Sequence, residues 1–154
     1  MSNVRLSVIA SSLALSACAA SNEPHGQSES PVVYGVDRRV ELWEAPPDVA
    51  ARSGASVVAL VDQESLLAIE RHEPLPTARQ TYGLCPEERF ADQPSIAVCS
   101  GVLVDRDLVL TAGHCAGVMP LARMRVVFNY AYTRPGTWSL DPEDIHEVEK
   151  VIHQ

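Results

Sequence analysis

The stretch that most constrains the fold is residues 99–115, CSGVLVDRDLVLTAGHC, in which two apolar runs flank the polar turn Asp105-Arg106-Asp107. Runs rich in valine and leucine, joined by a short polar turn, predict two antiparallel strands of a hairpin. A cysteine stands at each end of the stretch, and His114 directly precedes the second one. The sequence therefore predicts a hairpin that ends in a histidine beside a cysteine.

Other short apolar segments predict that this hairpin belongs to a larger sheet. The predicted strands are residues 54–63, 95–105, 108–112, 123–132 and 146–154. Residues 64–94 contain four prolines and predict a long irregular connection. Short strands separated by loops, with little helix, predict an all-β barrel or sandwich.

The N-terminal segment has the pattern of an export signal. Residues 1–17 carry one positive charge, Arg5, and then a run of apolar or small residues that is too short to span a membrane as a helix. Leu15-Ser16-Ala17-Cys18 resembles the bacterial lipobox, which implies that Cys18 is lipidated and becomes the mature N-terminus. Plain cleavage near Ala17 to Ala20 is the alternative. We therefore expect a signal peptide over 1–17 and a protein that is either lipid-anchored on the bacterial cell envelope or secreted.

Residues 18–30 are small and polar, without apolar periodicity, and predict a flexible tether before a folded domain over residues 31–154. The chain has a formal net charge of −8, and its acidic residues are dispersed. Because no basic run offers neutralisation of phosphates, nucleic acid is not an expected partner. The sequence contains no motif that calls for a cofactor.

Export makes disulfides the expected state of the cysteines. If Cys18 carries a lipid, Cys85, Cys99 and Cys115 remain, so one of the three lacks a partner within the chain. A zinc site formed by these three cysteines and His114 is the competing interpretation. It is disfavoured because adjacent side chains tend to point apart and because no Cys-x-x-Cys pair exists, so we expect no metal.

Cys99-Ser100-Gly101-Val102-Leu103-Val104, followed by Leu108-Val109-Leu110-Thr111-Ala112-Gly113-His114-Cys115, resembles the catalytic-histidine segment of the trypsin-like (chymotrypsin-fold) serine proteases. The resemblance implies an antiparallel Greek-key barrel, the first of two. It also implies a disulfide between Cys99 and Cys115, which leaves Cys85 without an intramolecular partner. His114 is implied to be the general base, which takes a proton from a serine hydroxyl and returns it to the leaving amine.

Two flanking segments resemble one bacterial branch of that family, the glutamyl-endopeptidase-like proteases. They are VVYGVDRRVEL, residues 32–42, and YGLCPEERFADQPSIAVCSG, residues 82–101. Tyr34 before the glycine and the pair Arg38-Arg39 after Asp37 depart from the branch pattern, so the activation step is left open.

The remaining parts of a protease site are missing from the sequence. No Gly-Asp-Ser-Gly-Gly occurs after His114, where the only serine is Ser139 and the only aspartates, Asp141 and Asp144, fall in a polar turn. The catalytic aspartate and serine are therefore expected to be absent, as is the second barrel with its specificity pocket. We expect an exported serine endopeptidase, truncated after the histidine segment and inactive alone, with polypeptides as substrates. A non-catalytic, protease-like binding module on the envelope is the alternative.

Overall fold

A computed structural model describes residues 37–138 and 140–152. The regular elements follow one another along the chain as α1 (Pro47–Ser56), β1 (Val57–Asp62), α2 (Gln63–Glu70), α3 (Ala78–Tyr82), β2 (Ala97–Asp105), β3 (Leu108–Thr111), β4 (Met124–Val127) and β5 (Ile145–Glu147). Single 3-10 turns lie at Leu42–Glu44, Gly113–Gly117, Leu121–Arg123 and Pro142–Asp144. None of the helices in this part of the chain has the length and apolar character needed to cross a membrane.

The strands form one five-stranded antiparallel sheet in the order β3-β2-β1-β4-β5. Three strands that are consecutive in the chain lie side by side, and the fourth returns to the far side of the first, which is the Greek-key order. The sheet curls into a half-barrel. The predicted all-β, antiparallel Greek-key architecture of a single barrel is thereby confirmed.

All five predicted strands are shorter than expected, and three differ most. The run 54–63 contributes only Val57–Asp62, and the run 123–132 contributes only Met124–Val127, because the backbone leaves the sheet and Asn129 adopts a φ of 50°. Of the predicted strand 146–154, only the first two residues fall in β5, which begins one residue earlier. β5 pairs with residues 125–127 of β4, and the pairing ends at Glu147.

The prediction of little helix was wrong on both sides of β1. Pro47 opens α1, where its missing N–H costs nothing. Asp62 caps α2 by accepting a hydrogen bond from the Glu64 N–H at 2.9 Å. Thr77 begins α3 in a capping box. The connection predicted as irregular over 64–94 therefore contains two short capped helices.

Asp62 also joins α2 to the neighbouring part of the sheet. Its carboxylate accepts hydrogen bonds from the Arg123 guanidinium, with an Nη2–Oδ2 distance of 2.6 Å. Partial burial raises the pKa of this carboxyl, but the hydrogen bonds from Glu64 N and from Arg123 outweigh that effect and lower the pKa overall. Asp62 is therefore held in its ionised form where β1 gives way to α2.

The core lies on both faces of the sheet, with β1 in the middle. The first core cluster contains Val58, Leu60, Cys115, Met124 and Val126. The second core cluster contains Ala59, Val61, Leu66, Ile96 and Val127. Successive residues of a strand point to opposite faces, so the side chains of residues 58–61 belong alternately to the first and the second cluster. This part of β1 is therefore buried on both sides.

One region of the sheet leaves large apolar side chains uncovered. Val57, Val102 and Leu110 are register partners across β1, β2 and β3, and they are 45%, 46% and 65% exposed. Val104 and Leu108 on the same hairpin are also exposed. We call these five residues the exposed apolar face. An apolar patch of this kind on a sheet is typical of a surface that another element covers.

Gly101 on β2 lies where its strand closely approaches a side chain and a backbone carbonyl of β3. A Cβ at this position would lie 2.6 Å from Val109 Cγ1 and 3.0 Å from the Leu110 carbonyl oxygen. We therefore expect Gly101→Ala to destabilise the fold by about 1–3 kcal/mol, as overpacking does in well-packed cores. The measurement is the denaturant midpoint by circular dichroism.

Gly117→Ala is the matched control for this substitution. A Cβ at Gly117 would meet nothing within 4 Å. Its midpoint should therefore stay close to that of the unmodified chain. Equal midpoints for the two variants would contradict the close packing described at Gly101.

Candidate functional site

His114 lies on a tight turn directly after β3. The 3-10 turn Gly113–Gly117 begins after the extended residue Ala112, whose carbonyl accepts a hydrogen bond from the Cys115 N–H at 2.9 Å. Two neighbouring residues of this turn differ in burial. Cys115 is 2% exposed within the first core cluster, whereas His114 is exposed to solvent. The local fold thus anchors the cysteine and presents the imidazole.

A disulfide fixes the turn to the neighbouring strand. Cys99 on β2 and Cys115 are bonded, with a Cα–Cα distance of 6.1 Å and a sequence separation of 16 residues. Closing a loop of this size restricts the unfolded chain and contributes roughly 3 kcal/mol in the chain-entropy estimate.

A second contact holds the end of β3 in place. The Thr111 Oγ1 donates a hydrogen bond to the Ser100 carbonyl oxygen at 2.7 Å. The sequence identifies Thr111 as part of the motif. It does not predict this hydrogen bond, because no sequence pattern identifies the Ser100 carbonyl as the acceptor. Together with the disulfide, this contact fixes where the backbone leaves the sheet just before His114.

The imidazole lies close to both sulfurs of the disulfide. A ring nitrogen of His114, Cys99 Sγ and Cys115 Sγ all lie within 4.8 Å of one another. While the two sulfurs are bonded to each other, neither is a thiolate, so this trio is not a metal site in the oxidised chain.

The expectation that Cys85 lacks a partner was wrong. Cys85 is itself disulfide-bonded, and since Cys99 and Cys115 bond each other, its partner is neither of them. The expectation rested on the loss of one cysteine to lipidation, which leaves an odd number. The predicted lipidation at Cys18, the signal peptide over 1–17 and the tether over 18–30 lie outside the described residues.

Neither later aspartate is directed at the histidine. Asp141 Oδ1 accepts a hydrogen bond from the Glu143 N–H, and Asp144 Oδ1 accepts one from the Asn129 side-chain amide, each at 3.0 Å. Both aspartates flank the turn that leads into β5, which lies at the opposite end of the strand order from β3. Ser139 lies outside the described residues.

The described residues therefore supply only one member of a proton-transfer system. Within them, no serine hydroxyl and no carboxylate is hydrogen-bonded to His114. An exposed imidazole acts as a base only toward a hydroxyl within about 3 Å of its ring.

After β5, Val148 packs against the first core cluster.

Comparison with known proteins gives one match. The family model described as Trypsin matches residues 89–153, a range that contains β2 to β5, both cysteines of the hairpin and His114. No curated protein and no solved structure matches the chain.

Proposed function

We propose, from the premise that residues 89–153 belong to the trypsin family of serine proteases, that this chain carries the histidine-bearing part of an exported serine endopeptidase. The observation that carries the proposal is the position of His114 within the matched range. It is exposed on a disulfide-anchored turn at the end of a Greek-key sheet. A core histidine held for packing alone would be buried, and this one is not.

His114 acts in this proposal as the general base. Its ring takes the proton of a serine hydroxyl as the oxygen attacks the scissile carbonyl, and later returns that proton to the leaving amine. An aspartate fixes the ring tautomer, and backbone N–H donors stabilise the oxyanion. The serine, the aspartate and these donors come from polypeptide that is not part of this sequence. The substrate is a polypeptide.

The exposed apolar face supports the involvement of further polypeptide. Its strands β2 and β3 are those that carry the disulfide and lead to His114. Val102 and Leu110 alternate with Gly101 and Val109, which lie on the core side, so residues that covered them would pack on the outer face of this hairpin. In our proposal, the covering element is a second barrel that contributes the nucleophile.

The branch of the family and the cleavage preference are separate proposals. Residues 32–42 and 82–101 support a place near the glutamyl-endopeptidase-like proteases. The pocket that selects the substrate side chain belongs to the second barrel, so no residue of the described part is assigned to specificity.

The test uses the full product of the gene, including any residues that are encoded in frame after Gln154. A fluorophosphonate probe labels a serine that is activated by its histidine, and casein or peptide hydrolysis measures turnover. We expect His114→Ala to lower kcat by a factor on the order of 10⁶, as loss of the base does in a serine protease triad. His146→Ala is the matched control, since His146 is exposed on β5 and its ring packs against Phe128. Labelling that survives His114→Ala would overturn the proposal.

One observation favours a second candidate function, a protease-like binding module without catalysis. In the described part of the chain, His114 has neither a serine nor an aspartate partner. A stop codon directly after Gln154, together with peptide binding that is unchanged in His114→Ala, would favour this function over the endopeptidase.

A lipid anchor at Cys18 forms a third part of the proposal. Several acyl chains on one residue give stable membrane attachment where a single chain gives only reversible binding. Radiolabelled palmitate fed to a bacterial host should label the membrane-bound protein, and Cys18→Ser should abolish the label. Soluble, unlabelled protein from the unmodified gene would contradict the anchor. The anchor competes with the disulfide of Cys85, because Cys18 is the fourth cysteine of the sequence and one sulfur cannot carry both a lipid thioether and a disulfide. Mass mapping that finds Cys85 bonded to Cys18 would therefore also contradict the anchor.

A further inference from the structure

The cysteines of the β2–β3 hairpin and the imidazole next to them form a compact group of donor atoms. A ring nitrogen of His114 and the sulfurs of Cys99 and Cys115 all lie within 4.8 Å of one another. The sequence alone argued against such a cluster, since His114 and Cys115 are adjacent. The 3-10 turn brings the ring within reach of both sulfurs although the histidine is exposed and the cysteine is buried.

We propose that reduction of the Cys99–Cys115 disulfide converts this group into a three-ligand site for Zn²⁺ or a similar borderline-soft divalent cation. Tetrahedral zinc has Zn–S bonds of about 2.3 Å and Zn–N bonds of about 2.0 Å, which place its ligand atoms roughly 3.5–3.8 Å apart. The His114 ring nitrogen lies within 4.8 Å of both sulfurs. The two sulfurs are bonded to each other in the oxidised chain, so they have to separate to this spacing after reduction. The fourth position is left to water. The site is inferred from geometry and does not depend on the proposed function.

The conversion has two balanced steps. A small dithiol reduces the disulfide: two thiols form on Cys99 and Cys115, and the reductant becomes a cyclic disulfide. The cation then displaces one proton from each thiol and takes the lone pair of the neutral imidazole, so two protons leave for each cation bound. Thiolate and imidazole are the ligand types that zinc prefers over oxygen donors.

The reductant has a route to the disulfide. Cys115 is buried, but Cys99 is only partly buried. Thiol–disulfide exchange needs access to only one of the two sulfurs. Attack at Cys99 therefore opens the bond without prior exposure of Cys115.

The test uses cobalt as a spectroscopic probe on the full chain. The protein is reduced with a dithiol, freed of the reductant without air, and titrated with Co²⁺. We expect thiolate-to-cobalt charge-transfer absorption together with the intense visible bands of four-coordinate cobalt. Zinc should displace the cobalt, and two protons should be released per site. The oxidised chain should give neither absorption.

Three variants separate this site from the other thiols that reduction produces. Cys99→Ser with Cys115→Ser keeps Cys18 and Cys85 and should lose the spectrum. His114→Ala should weaken cobalt binding at least about tenfold, since even an indirect partner of a ligand is worth that much. His146→Ala should leave it unchanged. Equal cobalt affinity in the unmodified chain and in His114→Ala would overturn the proposal.

Loss of the disulfide also affects folding. The same metal titration, followed by circular dichroism, measures this effect. If circular dichroism shows that the reduced chain is unfolded, metal binding and folding become coupled. Added cobalt or zinc should then restore the spectrum of the unmodified chain at a concentration that fails for His114→Ala. Recovery at the same metal concentration in both proteins would count against the site.

Discussion

Residues 19–154, purified alone, are expected to show no peptide hydrolysis that depends on His114. The described residues place no hydroxyl in hydrogen-bonding contact with the ring, and the sequence after His114 has no glycine-flanked serine. In our proposal the oxyanion donors also come from further polypeptide, and the loss of one such donor alone costs roughly a hundred- to a thousandfold in kcat. The measurement is turnover of casein and of a panel of fluorogenic peptides.

The control for this experiment is His114→Ala in the same fragment. The two proteins should give the same background rate. Turnover that is present in the unmodified fragment and lost in the variant would show that the fragment itself supplies a complete site, which would refute the proposed need for further polypeptide.

The second large effect is a loss of stability on truncation of a side chain at the centre of the sheet. Leu60 is 2% exposed and packs in the first core cluster. Truncation at a site so enclosed leaves a cavity, so Leu60→Ala should lower the free energy of unfolding by about 2–5 kcal/mol. Chemical denaturation followed by circular dichroism gives the change in midpoint.

Leu110→Ala is the matched comparison, because it removes the same atoms from a leucine that is 65% exposed on β3. Its effect on the free energy of unfolding should stay within about 0.5 kcal/mol, as for most surface substitutions. If Leu110→Ala proved as destabilising as Leu60→Ala, the exposed apolar face would have to be covered in the isolated chain.

The hairpin and the histidine were predictable from the sequence because the signal is dense. Two apolar runs, a polar turn and a cysteine at each end all fall within residues 99–115. The structure has most of β2, all of β3 and the Cys99–Cys115 disulfide within that stretch. Strand pairing between distant segments was predictable only through the resemblance, since no local pattern indicates that β4 lies beside β1.

The sequence analysis did not predict the helices, because it relied on apolar runs and prolines and not on the residues that begin a helix. Gly54, Ala55 and Ser56 were included in the predicted strand, although Pro47 at a first-turn position indicates a helix that runs up to β1. Asp62 and Thr77 likewise have the residue types that cap helices. These local signals were present in the sequence, and the prolines of the connection obscured them.

The pairing of Cys85 was not predictable in the same way. It depends on which segments meet in space, and the number of cysteines does not determine this.

The position of β1 between β2 and β4 has a consequence for the order in which the chain acquires its structure. The β2–β3 hairpin closes over a short loop, so its strands and its disulfide can assemble from neighbouring residues. The pairing of Leu60 with Val126 instead closes a loop that includes the whole hairpin, and that closure costs more entropy. During synthesis, β1 therefore emerges early and stays without its second neighbour until Met124–Val127 has followed. The time spent in that half-paired state, when a chaperone or another chain can bind β1, is set by the rate at which the polypeptide is delivered.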